Sequence, residues 1–315
     1  MNTSLHQNLA VGGVSPPGHP RQVTIRSPYP LDRLWPLEAA ALLATLFEAT
    51  APKLGNVHPG AAFEDMDYSH FVMSSNTIGP VFAQANASPM LSVGALVLEC
   101  VIVTRQQIGR NTNLGTLLLF GPLAIAFNRS RPETLGAWRA ATAQQLAQLN
   151  HSDSQAIYAA IRYASPGGLG TAAKHDVQQA APDCLVTAMR EVAESDAVAR
   201  QYTNGFADIF ERLLPWFEEA LHRCPDVFTA ICELQLRWLA HEPDGLIMRK
   251  AGREIAGQVQ DLAVQALLEQ DPPKREQKLS ALDAFLRDDG HKRNPGTTAD
   301  LIAATLLVRL MCREA

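Results

Sequence analysis

The sequence predicts an all-α protein, a single compact multi-helix domain over residues 31–315 behind an N-terminal arm. Three observations predict it. Apolar residues recur at helical spacing along nearly the whole chain. Hydrophobic residues make up 47% and aromatics only 6%, so the core rests on Leu, Ala, Val and Ile, of which Ala and Leu are the best helix formers. Alternating runs of Val, Ile, Thr and aromatics, the mark of half-buried strands, are absent.

Residues 1–30 are rich in Pro, Gly, Ser and Asn without apolar periodicity, and read as a flexible arm. Leu34–Thr50 reads as the first helix, its apolar face interrupted by Glu38 and Glu48. A second helix follows, capped by Asp67 or Ser69 and running to about Ala85. Met90–Gln107 is apolar on nearly every side, as a central helix is, with Glu99 inside it. After the turn Gly109–Asn113 comes Leu114–Phe127, where Pro122 removes one N–H and frees a carbonyl. Further helices are expected over Arg131–Asn150, over Ser152–Ala164 with Ser152 or Asp153 as its cap, over Pro182–Ser195 and over Asp196–His222. Pro225–His241, Leu246–Gln270, Lys274–Leu286 and Thr297–Met311 complete the series, the last capped by Thr297 or Thr298. Ser165–Gly170, SPGGLG, is the most glycine-rich turn, but without a flanking strand it is no dinucleotide fingerprint.

Charge and cysteine usage narrow the function. A formal net charge of −5 with no long basic run argues against nucleic-acid binding. The most apolar run, Gly115–Phe127, is too short to span a bilayer, so no membrane is expected. Five scattered cysteines without a CxxC fit a reducing cytoplasm better than a disulfide scaffold.

Three polar clusters punctuate the apolar helices: KLGNVH with EDMD (53–58 and 64–67), RNTN (110–113) and NPGTTAD (294–300). Asn, Thr, Asp and Gly at helix starts bring backbone N–H groups, hydroxyls and carboxylates together, which is equipment for phosphates and their magnesium ions. Lys53, Arg249 and Lys250 are available to neutralise phosphate charge. The plainer reading of these clusters is ordinary helix capping, which accounts for Thr297 or Thr298 but poorly for the run Asn111–Asn113.

In these motifs the chain resembles the triphosphoribosyl-dephospho-CoA synthase family, in particular divergent members found with archaeal-type cofactor pathways. The matching stretches are PKLGNV (52–57), EDMDY (64–68), NTNLGTLLLFGPLA (111–124), GGLG (167–170), DGLIMRKAG (244–252) and NPGTTADLIAAT (294–305). Two positions depart from the family pattern. Leu54 stands where proline is usual, and Asn113-Leu114 replaces a His-Lys pair of the citrate- and malonate-pathway synthases. The family is all-α, and the resemblance implies transfer of the triphosphoribosyl group of ATP to a ribose hydroxyl of dephospho-CoA, with adenine leaving.

The resemblance implies roles as well. Asp65 and Asp67 would hold Mg2+, with Glu64 or Glu48 behind the metal or acting as a base. Lys53, Arg249 and Lys250 would contact phosphates, and Asn111, Thr112 and Asn113 would orient sugar or phosphate oxygens. Asn56, Asn294, Gly296 and Thr298 complete the expected nucleotide site. Asp300 would serve as a metal ligand or an activating carboxylate, and His58 as an acid–base group, although a lone turn histidine is more often a surface hydrogen-bonding residue. Two other readings stay open: a related enzyme acting on another nucleotide or a methanopterin-type precursor, and a helical nucleotide-binding module without catalysis.

Overall fold

The structure, a computed structural model, describes residues 31, 33–88, 90–165 and 176–312. The expected arm, 1–30, and the glycine turn, 166–170, lie outside the described residues. Among the described residues there is no strand, only an isolated bridge between His58 and Ala61. The all-α expectation holds.

The helices are α1 (Leu37–Thr50), α2 (Tyr68–Ala87), α3 (Val93–Ile108), α4 (Leu114–Ser130), α5 (Leu135–Ala147), α6 (His151–Ala164) and α7 (Leu185–Val192). They continue as α8 (Ala197–Asn204), a π-helical segment (Asp208–Leu213), α9 (Leu214–Arg223), α10 (Val227–His241), α11 (Gly245–Ala251), α12 (Arg253–Leu268), α13 (Pro272–Arg287) and α14 (Gly296–Met311). Helix α14 is buried on almost every side from Leu301 to Met311, as a helix apolar all round must be. It packs against α1, α4, α8, α10, α11 and the π segment. The main core gathers α1–α10, the π segment and α14, and a smaller one joins α10 to α11, α12 and α13 through Leu236, Leu239, Ile247, Val259 and Leu282.

Several boundaries differ from the sequence reading, each for a local reason. The long helix expected over Asp196–His222 is broken because Gly205 and Phe206 both adopt left-handed backbone, at φ +64° and +62°. Leu246–Gln270 is likewise two helices, separated by Gly252 at φ +93°. Arg131 ends α4 in a left-handed conformation, so α5 starts only at Leu135, capped by Thr134. Helix α3 starts at Val93 under a Ser92 cap. The cap of α6 is Asn150, with Asp153 returning a bond to the Asn150 N–H, rather than Ser152 or Asp153 itself. Neither Thr297 nor Thr298 caps α14. Its N–H at Thr298 is taken by Asp244, 2.8 Å away and more than fifty residues earlier in the chain.

Pro122 does free a carbonyl, and the structure shows what takes it. A proline at 122 cannot donate to the Leu118 carbonyl, and the buried Tyr202 hydroxyl donates there instead, at 2.7 Å. This bond ties α8 to α4. Tyr202→Phe keeps the ring but leaves the Leu118 carbonyl without that donor, and should destabilise by about 1–3 kcal/mol in urea unfolding.

Candidate active site

One large cavity, of about 830 Å³, opens between the ends of α1, α4, α8, α11 and α14 and the flanks of α2, α6 and α7. The starts of α4, α11 and α14 contribute Asn113–Thr116, Leu246, and Gly296, Thr297, Ala299 and Asp300 to its lining, and α8 adds Asp196 and Val198. Helix N-termini carry unpaired N–H groups and the positive end of the helix dipole, so several of them facing one space favour an anion there. Four basic side chains, Arg105, Arg110, Arg249 and Lys250, line the same space.

The three clusters singled out from the sequence do converge here, for Asp65, Asn111 and Asp300 all line the cavity. So do Glu48, Asn56, Thr112, Asn113, Arg249, Lys250, Asn294 and Gly296. Asn56 donates to the Asn294 side-chain carbonyl at 2.6 Å and accepts from the buried Gln235 at 3.1 Å, so the first and last clusters are pinned together. Thr112 and Asn113 each donate to Ser74 on α2 at 2.8 Å, and Asn111 accepts from the Leu114 N–H at 3.1 Å. The Asn-Thr-Asn run therefore anchors and caps α4 while facing the cavity.

Asp300 is the most unusual group in the site. Its Oδ1 accepts from the Thr116 hydroxyl at 2.6 Å. A Cβ on Gly115 would fall 2.0 Å from its Oδ2, so only glycine leaves room for this carboxyl against α4. Burial, reinforced by the negative charges of Glu48, Asp196 and Asp244, pushes its pKa from 3.8 up to about 7, against the lowering effect of the Thr116 bond. Lys250 is displaced downward, first by burial and then by its neighbour Arg249.

Several expected site residues take other places. Lys53 is wholly buried and does not line the cavity. Its ammonium pairs with the Glu48 carboxylate at 2.8 Å and also donates to the Glu48 carbonyl, so it supports Glu48 rather than reaching a phosphate. Asp67 caps α2, accepting from the Ser69 N–H at 2.9 Å and from the Ser69 hydroxyl at 2.5 Å; those bonds and His70 hold its pKa at about 2. It lies outside the cavity lining. Asp65 pairs with Arg110 at 2.6 Å. Asp65 and Asp67 therefore do not form the expected magnesium pair, and no group of three or more His, Cys, Asp or Glu positioned for a metal occurs among the described residues.

Glu64 is exposed beside the cavity, its N–H donating to His291 Nε2 at 3.3 Å. His58 is outside the lining; it accepts from the Gly60 N–H, and burial, then Arg287 and Lys53, lower its pKa. Thr298 is turned away, its hydroxyl donating to Asp244 at 2.7 Å.

Sequence reasoning also passed over residues that line the cavity. Arg110 stood within the RNTN cluster without a role. Asp196 read only as a helix start, yet it pairs with Arg249. His291, in left-handed backbone at φ +67°, stacks on Phe63 at 3.8 Å between ring centroids, and both line the cavity. The sequence signal for His291 is its place in the polar run RDDGHKRNPG (287–296), and nothing in the sequence points to Phe63 as its partner.

The geometry agrees with what comparison with known proteins shows. The CitG family model, ATP:dephospho-CoA triphosphoribosyl transferase, matches residues 35–315. The 2-(5''-triphosphoribosyl)-3'-dephosphocoenzyme-A synthase of Pectobacterium atrosepticum is 26% identical over 286 residues, covering 86% of each chain. A Pectobacterium carotovorum protein named as a probable enzyme of the same kind is 25% identical over 286 residues, with the same coverage. A solved structure from Archaeoglobus fulgidus, titled as a candidate triphosphoribosyl-dephospho-CoA synthase, superposes with a TM-score of 0.58. It covers 77% of this chain and all of its own, and at 23% identity it bears on the fold alone.

Because Lys53 is the buried counter-charge of Glu48, Lys53→Met should leave a carboxylate uncompensated. Equilibrium unfolding should then show a loss of about 3–5 kcal/mol. With its family model matched over nearly all of the described chain, the protein belongs to the ATP:dephospho-CoA triphosphoribosyl transferase family, a family of transferase enzymes.

Proposed function

We propose that this chain transfers the triphosphoribosyl group of ATP to dephospho-CoA and releases adenine. The observation that carries this reading is the Asp300 carboxyl, pushed to about 7 in a cavity walled by helix N-termini and basic side chains. The reaction forms a bond from an acceptor ribose oxygen to the anomeric carbon of ATP and breaks the bond from that carbon to adenine. One proton leaves the hydroxyl and one arrives on the departing base. A carboxyl with its midpoint near neutrality suits such proton transfers, because both of its forms are well populated at working pH.

The remaining roles follow from charge. Arg105, Arg110, Arg249 and Lys250, with the helix starts, would hold the triphosphate, which competes with Asp65 and Asp196 for Arg110 and Arg249. Glu48, held by Lys53 at the cavity wall, would place negative charge beside the oxocarbenium-like transition state. The described residues do not fit a magnesium ion held by the protein alone. Magnesium would enter on the nucleotide, consistent with an ion that keeps several waters and binds through one or two carboxylates plus substrate phosphates. No observation favours the open alternatives of a different nucleotide or pterin-type substrate, or of a module without catalysis. All five cysteines are free thiols, and with ATP as substrate this supports a cytoplasmic enzyme. No described helix is long and apolar enough to cross a membrane.

Incubation with ATP, magnesium and dephospho-CoA should release free adenine, read by chromatography, without ADP or AMP. A phosphate-transfer product instead of adenine would overturn the reading. Asp300→Asn should slow adenine release by about 100-fold or more. The same substitution should affect stability with the opposite sign. The folded carboxyl binds its proton more tightly than the unfolded one, so wild-type stability falls as pH rises from 3.8 through about 7. Asp300→Asn removes that penalty, and should melt higher than wild type at about pH 8 but not at about pH 4.

A further inference from the structure

We infer that Gln235, on α10 and outside the cavity lining, is a positioning residue for the site. Through Asn56 it holds the Asn294 amide with its NH2 end free, as a donor to a phosphate oxygen of a substrate. The inference rests on the proposed function only in taking the ligand of the cavity to carry phosphates. A side-chain amide has a donor end and an acceptor end of nearly the same shape, so what it offers a ligand depends on which end its partners hold. Here the backbone decides. The Leu54 N–H donates to Gln235 Oε1 at 2.8 Å, and the Leu54 carbonyl accepts from Gln235 Nε2 at 2.8 Å. Neither backbone group can exchange roles.

The choice made at Gln235 is passed along. Gln235 Nε2 also donates to Asn56 Oδ1 at 3.1 Å, so Asn56 turns its Nδ2 the other way and donates to Asn294 Oδ1 at 2.6 Å. Reversing Asn294 alone would set two NH2 groups against each other. Reversing the whole chain would break both bonds to Leu54. Gln235 is wholly buried and Asn56 nearly so, which leaves little water to repair either mismatch. Asn294 lines the cavity, and its Nδ2 has no partner among the described residues. That nitrogen lies 3.6 Å from where a Cβ on Gly296 would stand, beside the first residue of α14. A helix start favours negative charge, and Arg249 and Lys250 line the same cavity. An ionised phosphate oxygen accepts and does not donate, so it needs the NH2 end and no other. A ribose hydroxyl does both and would be served by either end, without a chain that fixes one.

The test reads the amides themselves, by NMR of side-chain NH2 exchange with water on the full chain, with Asn294→Ala identifying the Asn294 signal. In wild type that NH2 should exchange freely, and inorganic tripolyphosphate should slow it by about tenfold or more. In calorimetry Asn294→Ala should weaken tripolyphosphate about tenfold, and Gln235→Met about threefold. Gln235→Met should also shift the Asn294 signal and reduce its slowing by tripolyphosphate, which a loss of stability alone does not do. ATP and dephospho-CoA are then titrated separately; slowing by either supports the assignment and names the source of the phosphate. An Asn294 NH2 already protected in the free protein would show the chain pointing the other way and overturn the inference. Slowing by adenosine, which has no phosphate, would overturn it too, as would an Asn294 signal that Gln235→Met leaves unchanged. Failure to release adenine, with Asn294 still protected by tripolyphosphate, would sink the proposed reaction and leave this assignment standing.

Discussion

A single buried carboxylate, Asp244, ties together the starts of two helices of the candidate site. One oxygen accepts from the N–H groups of Leu246 and Ile247 at 2.8 and 3.1 Å, starting α11. The other accepts from the N–H and hydroxyl of Thr298 at 2.8 and 2.7 Å, starting α14. A carboxylate taken wholly out of water is costly unless hydrogen bonds replace its hydration, and here four do. Burial still raises its pKa, against the lowering effect of those bonds. The consequence is geometric. With two helix starts joined at one side chain, Arg249 and Lys250 line the same cavity as Gly296, Thr297, Ala299 and Asp300, and the Arg249–Asp196 pair brings in the start of α8.

The fourth helix start, that of α4, joins through Asp300 itself. The Thr116 hydroxyl meets its carboxyl, and the missing side chain at Gly115 makes the space it occupies. Two opposing demands meet here. Helix N-termini and basic side chains favour anions, whereas Asp300 lies close enough to Glu48, Asp196 and Asp244 to be raised by their charges. Several of those acids are partly satisfied by cations: Lys53 answers Glu48 and Arg249 answers Asp196. Asp300 has a hydroxyl and no cation among its bonds, so the residual repulsion and desolvation are concentrated on it. The raised pKa is thus a product of how charges are paired around the site, not of the residue alone.

Much of this was legible in the sequence, because periodicity reports burial and the polar clusters broke that periodicity. Asp300, Asn56, Asn294 and the Asn111–Asn113 run lie in those clusters, Arg249 stood out by its charge, and all of them line one cavity. Helix breaks at Gly205 and Gly252 were not, since one glycine in a helical pattern costs only about 1 kcal/mol and marks a break only when its φ turns positive. Lys53 and Asp67 were placed by charge when their partners decided their work. Lys53 answers the carboxylate five residues before it, and Asp67 caps the helix it precedes, the first of the two caps the sequence offered there, instead of serving a metal. Asp244, Arg110 and the Phe63–His291 stack depend on contacts between residues far apart in sequence, which no local pattern records.

Helix α4 shows why the most apolar stretch of the chain also shapes its chemistry. Its first turn must come close enough to α14 to bury a carboxyl, and side-chain volume there would prevent it, so glycine is required at 115 by space alone. Further along, Pro122 removes a helical donor, and the carbonyl it strands at Leu118 recruits Tyr202 from α8. The Trp138 indole N–H donates to the Leu123 carbonyl at 3.0 Å, fixing α5 to α4 more than a turn further along. Polar bonds inside a dry core are few but directional, and each of these sets a rotation that hydrophobic packing alone leaves loose. The apolar helix is therefore held in register by what it lacks, a side chain at 115 and an N–H at 122, and that register is what faces Thr116 toward Asp300.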